Sequence, residues 1–298
     1  MQTVILLTIA CFIFGAIIGS FLGVCAYRIP NARYEPIHEG VRELEEPISI
    51  ISPARSFCPC CKKQLLWWQN IPLVSWILLG GKCGFCSEKI PFRYFFIELL
   101  TGLMAVLCLF RFGATPTGLA AFVFIALLII ITYIDLDYMI IPDVITYPTT
   151  IVGIAIGIAN GYFTTPVSPF LGYPFVTSLL DSFLGLLAGP GVLMTVWWIY
   201  FKLRKREGLG LGDVKLLAMV GTCFGIFGAW FTTFIGSVIG SVCGIAFVLF
   251  RRNSMNSYIP FGPYLAIGAT IFILDGYELG EYLLGTTTLT RWWIFNAL

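Results

Sequence analysis

Charge is scarce in this sequence. Lys, Arg, Asp and Glu make up 11% of its 298 residues, against about 25% in an ordinary soluble domain, and that excludes a water-soluble enzyme. The same composition excludes disorder, since 58% of the residues are hydrophobic and disordered chains are poor in apolar side chains. Heptads are absent, so the chain is no coiled coil. Low-complexity tracts and repeats of the solenoid or transporter type are absent as well. Ten cysteines in this length are too dilute for a small disulfide scaffold. What abounds is long apolar runs, the mark of an all-α polytopic membrane protein. At ~20 apolar residues for each crossing of ~30 Å of hydrocarbon, about 200 membrane residues supply about eight transmembrane helices.

The runs fall at residues 4–27, 94–109, 118–134, 144–158, 175–201, 214–230, 231–250 and 264–284. The first is too long for a signal-peptide core and no positive charge precedes it, so it reads as a retained membrane helix. Residues 28–93 form the only polar stretch long enough for a small extramembrane domain. Threading the spans alternately puts 16 of the 18 Lys and Arg on one side, with only Arg111 and Arg291 opposite. The positive-inside rule makes that side cytoplasmic and puts both termini outside. Within it, Glu35, Glu39, Glu43, Glu45 and Glu46 read either as a solvated polar face or as an acidic patch for a basic peptide.

Cys58-Pro-Cys-Cys61 and Cys83-Gly-Phe-Cys86 are two C-x-x-C knuckles separated by 21 residues, close to zinc-ribbon spacing. Each would turn two thiolates toward one ion, and the pair would close a Cys₄ tetrahedron with no open position, hence a structural metal. Such a metal would fold a segment too short to build its own core. Disulfides are the alternative, and the reducing compartment assigned by charge argues against them. Cys60 could compete with Cys61. Cys11, Cys25, Cys108, Cys223 and Cys243 lie in apolar runs and read as small packing residues.

An ionisable residue at membrane depth is a functional candidate by default. Asp135, Asp137 and Asp143 lie in Tyr-Ile-Asp-Leu-Asp-Tyr-Met-Ile-Ile-Pro-Asp, and Asp213 ends Gly-Leu-Gly-Leu-Gly-Asp. All fall at the cytoplasmic edge. Two carboxylates close together in a partly dry site share a proton, so that one activates water while the other protonates a carbonyl, which is peptide hydrolysis by an aspartic dyad. Asp213 also suits a plain helix start. Asp143, after Pro142, has the same reading. Asp137 lies about 200° around a helix from Asp135, so the two do not face one partner if that turn is helical.

Gly19-Ser-Phe-Leu22 with Arg28-Ile-Pro30, Arg55-Ser-Phe-Cys-Pro59, Trp68-Gln-Asn-Ile-Pro72, Ser75-Trp76, Arg93-Tyr94 and Glu98-Leu-Leu-Thr-Gly102 follow one another along the chain. Then come Ile134-Asp-Leu-Asp137, Ile141-Pro-Asp143, Gly210-Leu-Gly-Asp213 with Lys215, and Pro260-Phe-Gly-Pro-Tyr264. In this order the set resembles the bacterial type IV prepilin peptidases over nearly the whole chain. The resemblance implies an aspartic endopeptidase of the inner membrane with Asp135 and Asp213 as its catalytic pair. It also implies N-methyltransferase activity, with S-adenosylmethionine as methyl donor. The substrate would be a prepilin or pseudopilin with a short basic leader ending in glycine and then an apolar helix, and the indirect partners would be type IV pilus or type II secretion machinery. Membrane lipid is the other expected partner; nucleic acid is not expected. Asp135 and Asp213 stand 78 positions apart, more than the resemblance leads one to expect, with the extra length expected in the external loop around residues 160–174.

No Rossmann-type motif is present, so the methyl donor comes from the resemblance alone and its residues are not assigned; residues 68–76 and the end of the first span are candidates by location. Three segments follow: residues 1–27 as the first membrane helix, 28–93 as a cytoplasmic zinc-ribbon-like domain implicated in methyl transfer, and 94–298 as the membrane peptidase. A proton-relay transporter and a non-catalytic pilus scaffold are the rival classes, and neither accounts for the ordered motifs. The Tyr-Asp and Pro-Ala-Leu motifs of presenilin-like proteases are missing.

Overall fold

The structure is a computed structural model that describes residues 2–33, 56–58, 60–161, 174–176, 178–205, 210–251 and 260–284. The acidic cluster from Glu35 to Glu46, Gly208 and most of the 160–174 loop lie outside the described residues. The described chain is helical: α1 (Gln2–Arg33), the short α2 (Val74–Leu78), α3 (Phe92–Phe112), α4 (Pro116–Tyr138), α5 (Asp143–Ala159), α6 (Leu179–Arg204), α7 (Leu211–Arg251) and α8 (Gly262–Leu284). It divides into two compact units, Met1–Ile134 and Asp135–Leu298, with α4 running across the boundary.

Five helices, α1, α3, α4, α6 and α7, are long and apolar enough to cross a membrane, and α5 and the first part of α8 are shorter apolar helices. Many of their large apolar side chains, such as Leu6, Phe21, Phe110, Ile151 and Val242, are exposed. On a membrane helix those are the positions that meet hydrocarbon, which explains why the composition is so apolar without a correspondingly large core.

α7 is two helices. A straight helix of its 41 residues would be about 60 Å long, twice the hydrocarbon thickness. It would also hold residues 213 and 240 about 40 Å apart. Gly240 instead lies against Tyr264, two residues from Gly262, which lies against Asp135, and Asp135 is the charged neighbour of Asp213. The chain therefore folds back at Gly225, whose φ of 71° and ψ of −172° favour a residue without a Cβ. With α7 counted as two limbs, the described helices supply the eight membrane segments expected. The break predicted between Trp230 and Phe231 sits at Gly225, because the backbone conformation of the reversal and not the hydropathy minimum decides where it falls. Asp181 of α6 presses against Gly225 and accepts the Ile226 N–H, capping the limb that starts there.

Small residues set the helix spacing within each unit. In unit 1, a Cβ on Gly15 would lie 2.7 Å from that of Ala105, so α1 and α3 meet backbone to backbone, as membrane helices do where small residues line the seam. In unit 2 the α6–α7 contact is closest at Gly185 and Gly221. The second limb of α7 runs antiparallel to α8, with Phe227 and Phe231 packed on Phe272 at centroid distances of 5.9 and 5.6 Å.

Between α1 and α3 lies a compact knot. A 3₁₀ turn at Trp67–Asn70 leads into α2, and isolated bridges pair Phe57 with Gln64 and Lys82 with Lys89. Gln69 is buried; its Oε1 accepts the Leu66 N–H at 3.0 Å, and its side chain packs on Gly84, tying the turn to the second cysteine knuckle.

Candidate active site and metal centre

Asp135 occupies the last turn of α4. Met139, at φ +55°, ends that helix while its N–H still bonds to the Asp135 carbonyl at 2.9 Å, and Pro142 then caps α5. Asp213 sits in the first turn of α7. Both side chains are buried, at 6% and 7% exposure, and the Asp135 carboxyl lies within electrostatic range of that of Asp213. The Gly262 N–H is directed to the Asp135 carboxylate, while Asp135 Oδ2 has no hydrogen-bond partner among the described residues. A buried carboxylate oxygen left open in this way is costly unless a substrate or water completes it.

Two glycines let the backbone close around this pair. A Cβ on Gly262 would fall 2.5 Å from Asp135 Oδ2, and one on Gly212 would fall 3.0 Å from Ile141 Cβ. Lys215 Nζ meets Asp143 Oδ1 at 2.6 Å, joining the first turn of α5 to the first turn of α7 beside Asp213. Asp135 and Asp213 thus come together; Asp143 pairs with Lys215, and Asp137 is exposed, as its angular offset from Asp135 predicts. Two buried carboxylates on separate helices, one with an open oxygen, have what general acid–base catalysis requires.

In unit 1 the sulfurs of Cys58, Cys61, Cys83 and Cys86 all lie within 4.8 Å of one another. Cys58 and Cys86 Sγ are 3.8 Å apart, about the edge of a tetrahedron with ~2.3 Å metal–sulfur bonds. The two knuckles share one local geometry. The Lys62 N–H returns to Cys58 O at 2.9 Å and the Ser87 N–H to Cys83 O at 2.9 Å. Lys62 and Ser87 both take positive φ, 60° and 59°, at about 1–3 kcal/mol each for residues with side chains. Backbone N–H groups of Phe85 and Cys86 bond to the Cys83 sulfur and bring its pKa down to about 7, while burial pushes Cys58 up. Cys60 is exposed and outside the four-sulfur group. The donor set, its spacing and its tetrahedral edge fit a metal ion.

The comparisons with known proteins divide along the same chain. A model of the bacterial peptidase A24 N-terminal domain matches residues 13–112, and a model of the type IV leader peptidase family matches residues 122–245. A prepilin leader peptidase/N-methyltransferase of Aeromonas hydrophila is 34% identical over 96% of this chain and 93% of its own. Relatives of the same name in Xanthomonas campestris pv. campestris and Pseudomonas aeruginosa are each 34% identical over 89% of this chain, and over 90% and 89% of their own. The chain belongs to the type IV leader peptidase family. No solved structure matches it.

In this leader peptidase several site residues escape a reading by charge and spacing. Gly262 acts through the side chain it lacks; the signal is a glycine flanked by Phe261 and Pro263 at the mouth of an apolar run, which marks a close approach. Asp181 lies inside such a run, where any carboxylate is a candidate, but it sits against Gly225 and Ile226 at the reversal of α7. Glu98 of α3, whose Oε2 accepts the Leu73 N–H at 2.7 Å, is a third.

Proposed function

We propose that this protein cleaves the basic leader from a prepilin or pseudopilin after a glycine and then N-methylates the residue exposed. The observation that carries the first step is the meeting of Asp135 and Asp213, buried, on different helices, with Asp135 Oδ2 open. One carboxylate accepts a proton from water as the water oxygen attacks the scissile carbonyl. The other, protonated, gives its proton to the carbonyl oxygen. The tetrahedral diol then collapses: the C–N bond breaks toward nitrogen, which takes a proton from the dyad, and the leader leaves as a carboxylic acid. Gly262 N–H and Ile141 hold the Asp135 side of the site, and the Asp143–Lys215 pair steadies the turn that carries Asp213.

The second step needs an amine that has lost its proton. S-adenosylmethionine supplies, when bound, a methyl group on a sulfonium that leaves with its bonding electrons on sulfur. Residues 28–93, with the start of α3 that packs on them, are assigned to this step and the rest of 94–298 to cleavage. Cys58, Cys61, Cys83 and Cys86 hold a structural zinc ion that fixes the fold on which the first rests. The excess of Lys and Arg between spans supports a cytoplasmic active site in the inner membrane with periplasmic termini.

Intact-mass spectrometry of a prepilin incubated with the purified protein in detergent tests both steps. Loss of the leader without the donor, and a further gain of one CH₂ only with it, is the expected result. A prepilin that keeps its leader would overturn the reading.

A further inference from the structure

Unit 1 contains a cavity of about 280 Å³, at the lower edge of the ~300–1,000 Å³ usual for small-molecule sites. It lies between the C-terminal part of α1, the cysteine knot and the start of α3. Its lining includes two cations, Arg28 and Lys89, two carboxylates, Glu88 and Glu98, and the rings of Tyr27, Trp76 and Tyr94.

Three features mark it as built for a ligand. Arg28 is only 5% exposed and lines the cavity, and a guanidinium carries five N–H donors in a fork that suits a carboxylate. Glu98 receives the Leu73 N–H at 2.7 Å and the Ser20 hydroxyl, which leaves acceptor positions among the roughly four a carboxylate offers. Leu73 itself stands at φ 62° and ψ −49°, and the Val74 N–H bonds back to Pro72 O at 2.6 Å. That is a γ-turn of the rare, strained hand, held beside the cavity by the Glu98 carboxylate, and strain of this kind persists where a site must keep its shape. Trp76 is fixed in turn: its Nε1–H reaches Ile90 O at 3.3 Å and its ring packs 5.2 Å from Phe95.

We infer that this cavity is the binding site for S-adenosylmethionine, an inference that rests on the methyl-transfer reading above. The ligand carries a carboxylate, an ammonium, a sulfonium and a purine. Arg28 matches the first, Glu98 faces the cationic groups, and the rings of Tyr27, Trp76 and Tyr94 offer faces for the purine and for cation–π contact with the sulfonium. A phospholipid would satisfy Arg28 through its phosphate but would set that phosphate against Glu98, and it offers no ring to stack on the aromatic faces.

The test is equilibrium binding of tritiated S-adenosylmethionine to the zinc-loaded full chain in detergent, with Arg28→Met, Glu98→Gln and Tyr94→Leu beside the wild type. Loss of one charge-assisted contact should weaken binding about tenfold or more. Metal content reports whether a variant keeps its fold. Where one does not, ultraviolet crosslinking of the donor to the unaltered protein decides, with adducts expected on the peptides holding Tyr27–Arg28 or Tyr94–Glu98. Undiminished binding in the variants, or adducts elsewhere, overturns the cavity assignment alone. A wild type that neither binds the donor nor methylates a pilin overturns the methyl-transfer reading itself. A phospholipid found by native mass spectrometry to be held through Arg28, and unmoved by the donor, assigns the cavity to lipid.

Discussion

The two units use opposite means to hold reactive side chains. In unit 1 four cysteines draw together 4.8 Å or less apart on strained knuckles, and a metal would replace the core that so short a segment cannot build. In unit 2 no described residues form such a group, and two buried carboxylates on separate helices lie within electrostatic range of each other, with Gly262 close against Asp135 and Gly212 close against Ile141. The difference shows which changes each unit should tolerate. The knot depends first on its four ligands, whereas the dyad has no ligand to hold it, depends on backbone approach and is sensitive to a single methyl group.

Removing either dyad carboxylate is the strongest way to press this contrast. Asp135→Asn and Asp213→Asn should each lower leader cleavage by ~10³-fold or more while metal content stays at the wild-type level; single-turnover cleavage with metal analysis checks both. Next comes Gly262→Ala. Its Cβ would sit 2.5 Å from Asp135 Oδ2, so the carboxylate must shift, and misplacement near 1 Å costs ~10²-fold. Cleavage at wild-type rate in that variant would break the packing account of the dyad.

Cys58→Ser or Cys83→Ser reverses the pattern. Metal should be lost and methyl transfer should fall about tenfold or more, with cleavage less affected. Metal uptake by the stripped protein should strengthen as pH rises through about 7 and beyond, since the Cys83 thiol is lowered to about 7 while those of Cys58 and Cys86 are raised, because binding requires thiolates and must expel any protons that remain. Competition with a chromophoric chelator across that range measures it, and a flat profile would count against thiolate ligation. Smallest of all is Asp137→Asn. An exposed carboxylate outside the pair should change cleavage by less than about twofold, a sharp check on why Asp135 and not its neighbour two residues on belongs to the site.

Hydropathy made the membrane segments legible, because lipid imposes length and composition on every span. The break in α7 was not legible in the same way. It depends on the positive φ of Gly225 and on Asp181 from another helix, and hydropathy registers neither. The cysteine knuckles could be read directly, since metal ligation fixes residue type and spacing together. The dyad was half legible: helical periodicity separated Asp135 from Asp137, but the meeting of Asp135 with Asp213 is a tertiary fact that only the resemblance anticipated. Gly262, Ile141 and the Leu73–Glu98 contact stayed hidden because their contribution is steric or rests on backbone groups, which leave no mark in composition.

The separation of cleavage from methyl transfer is tested most directly by giving Asp213→Asn both an intact prepilin and a pilin whose leader has already been removed, with S-adenosylmethionine present. The prepilin should keep its leader while the shortened pilin gains one CH₂ in mass, as with the wild type. Leader loss in this variant, or failure to methylate the shortened pilin despite full metal content, would contradict that separation.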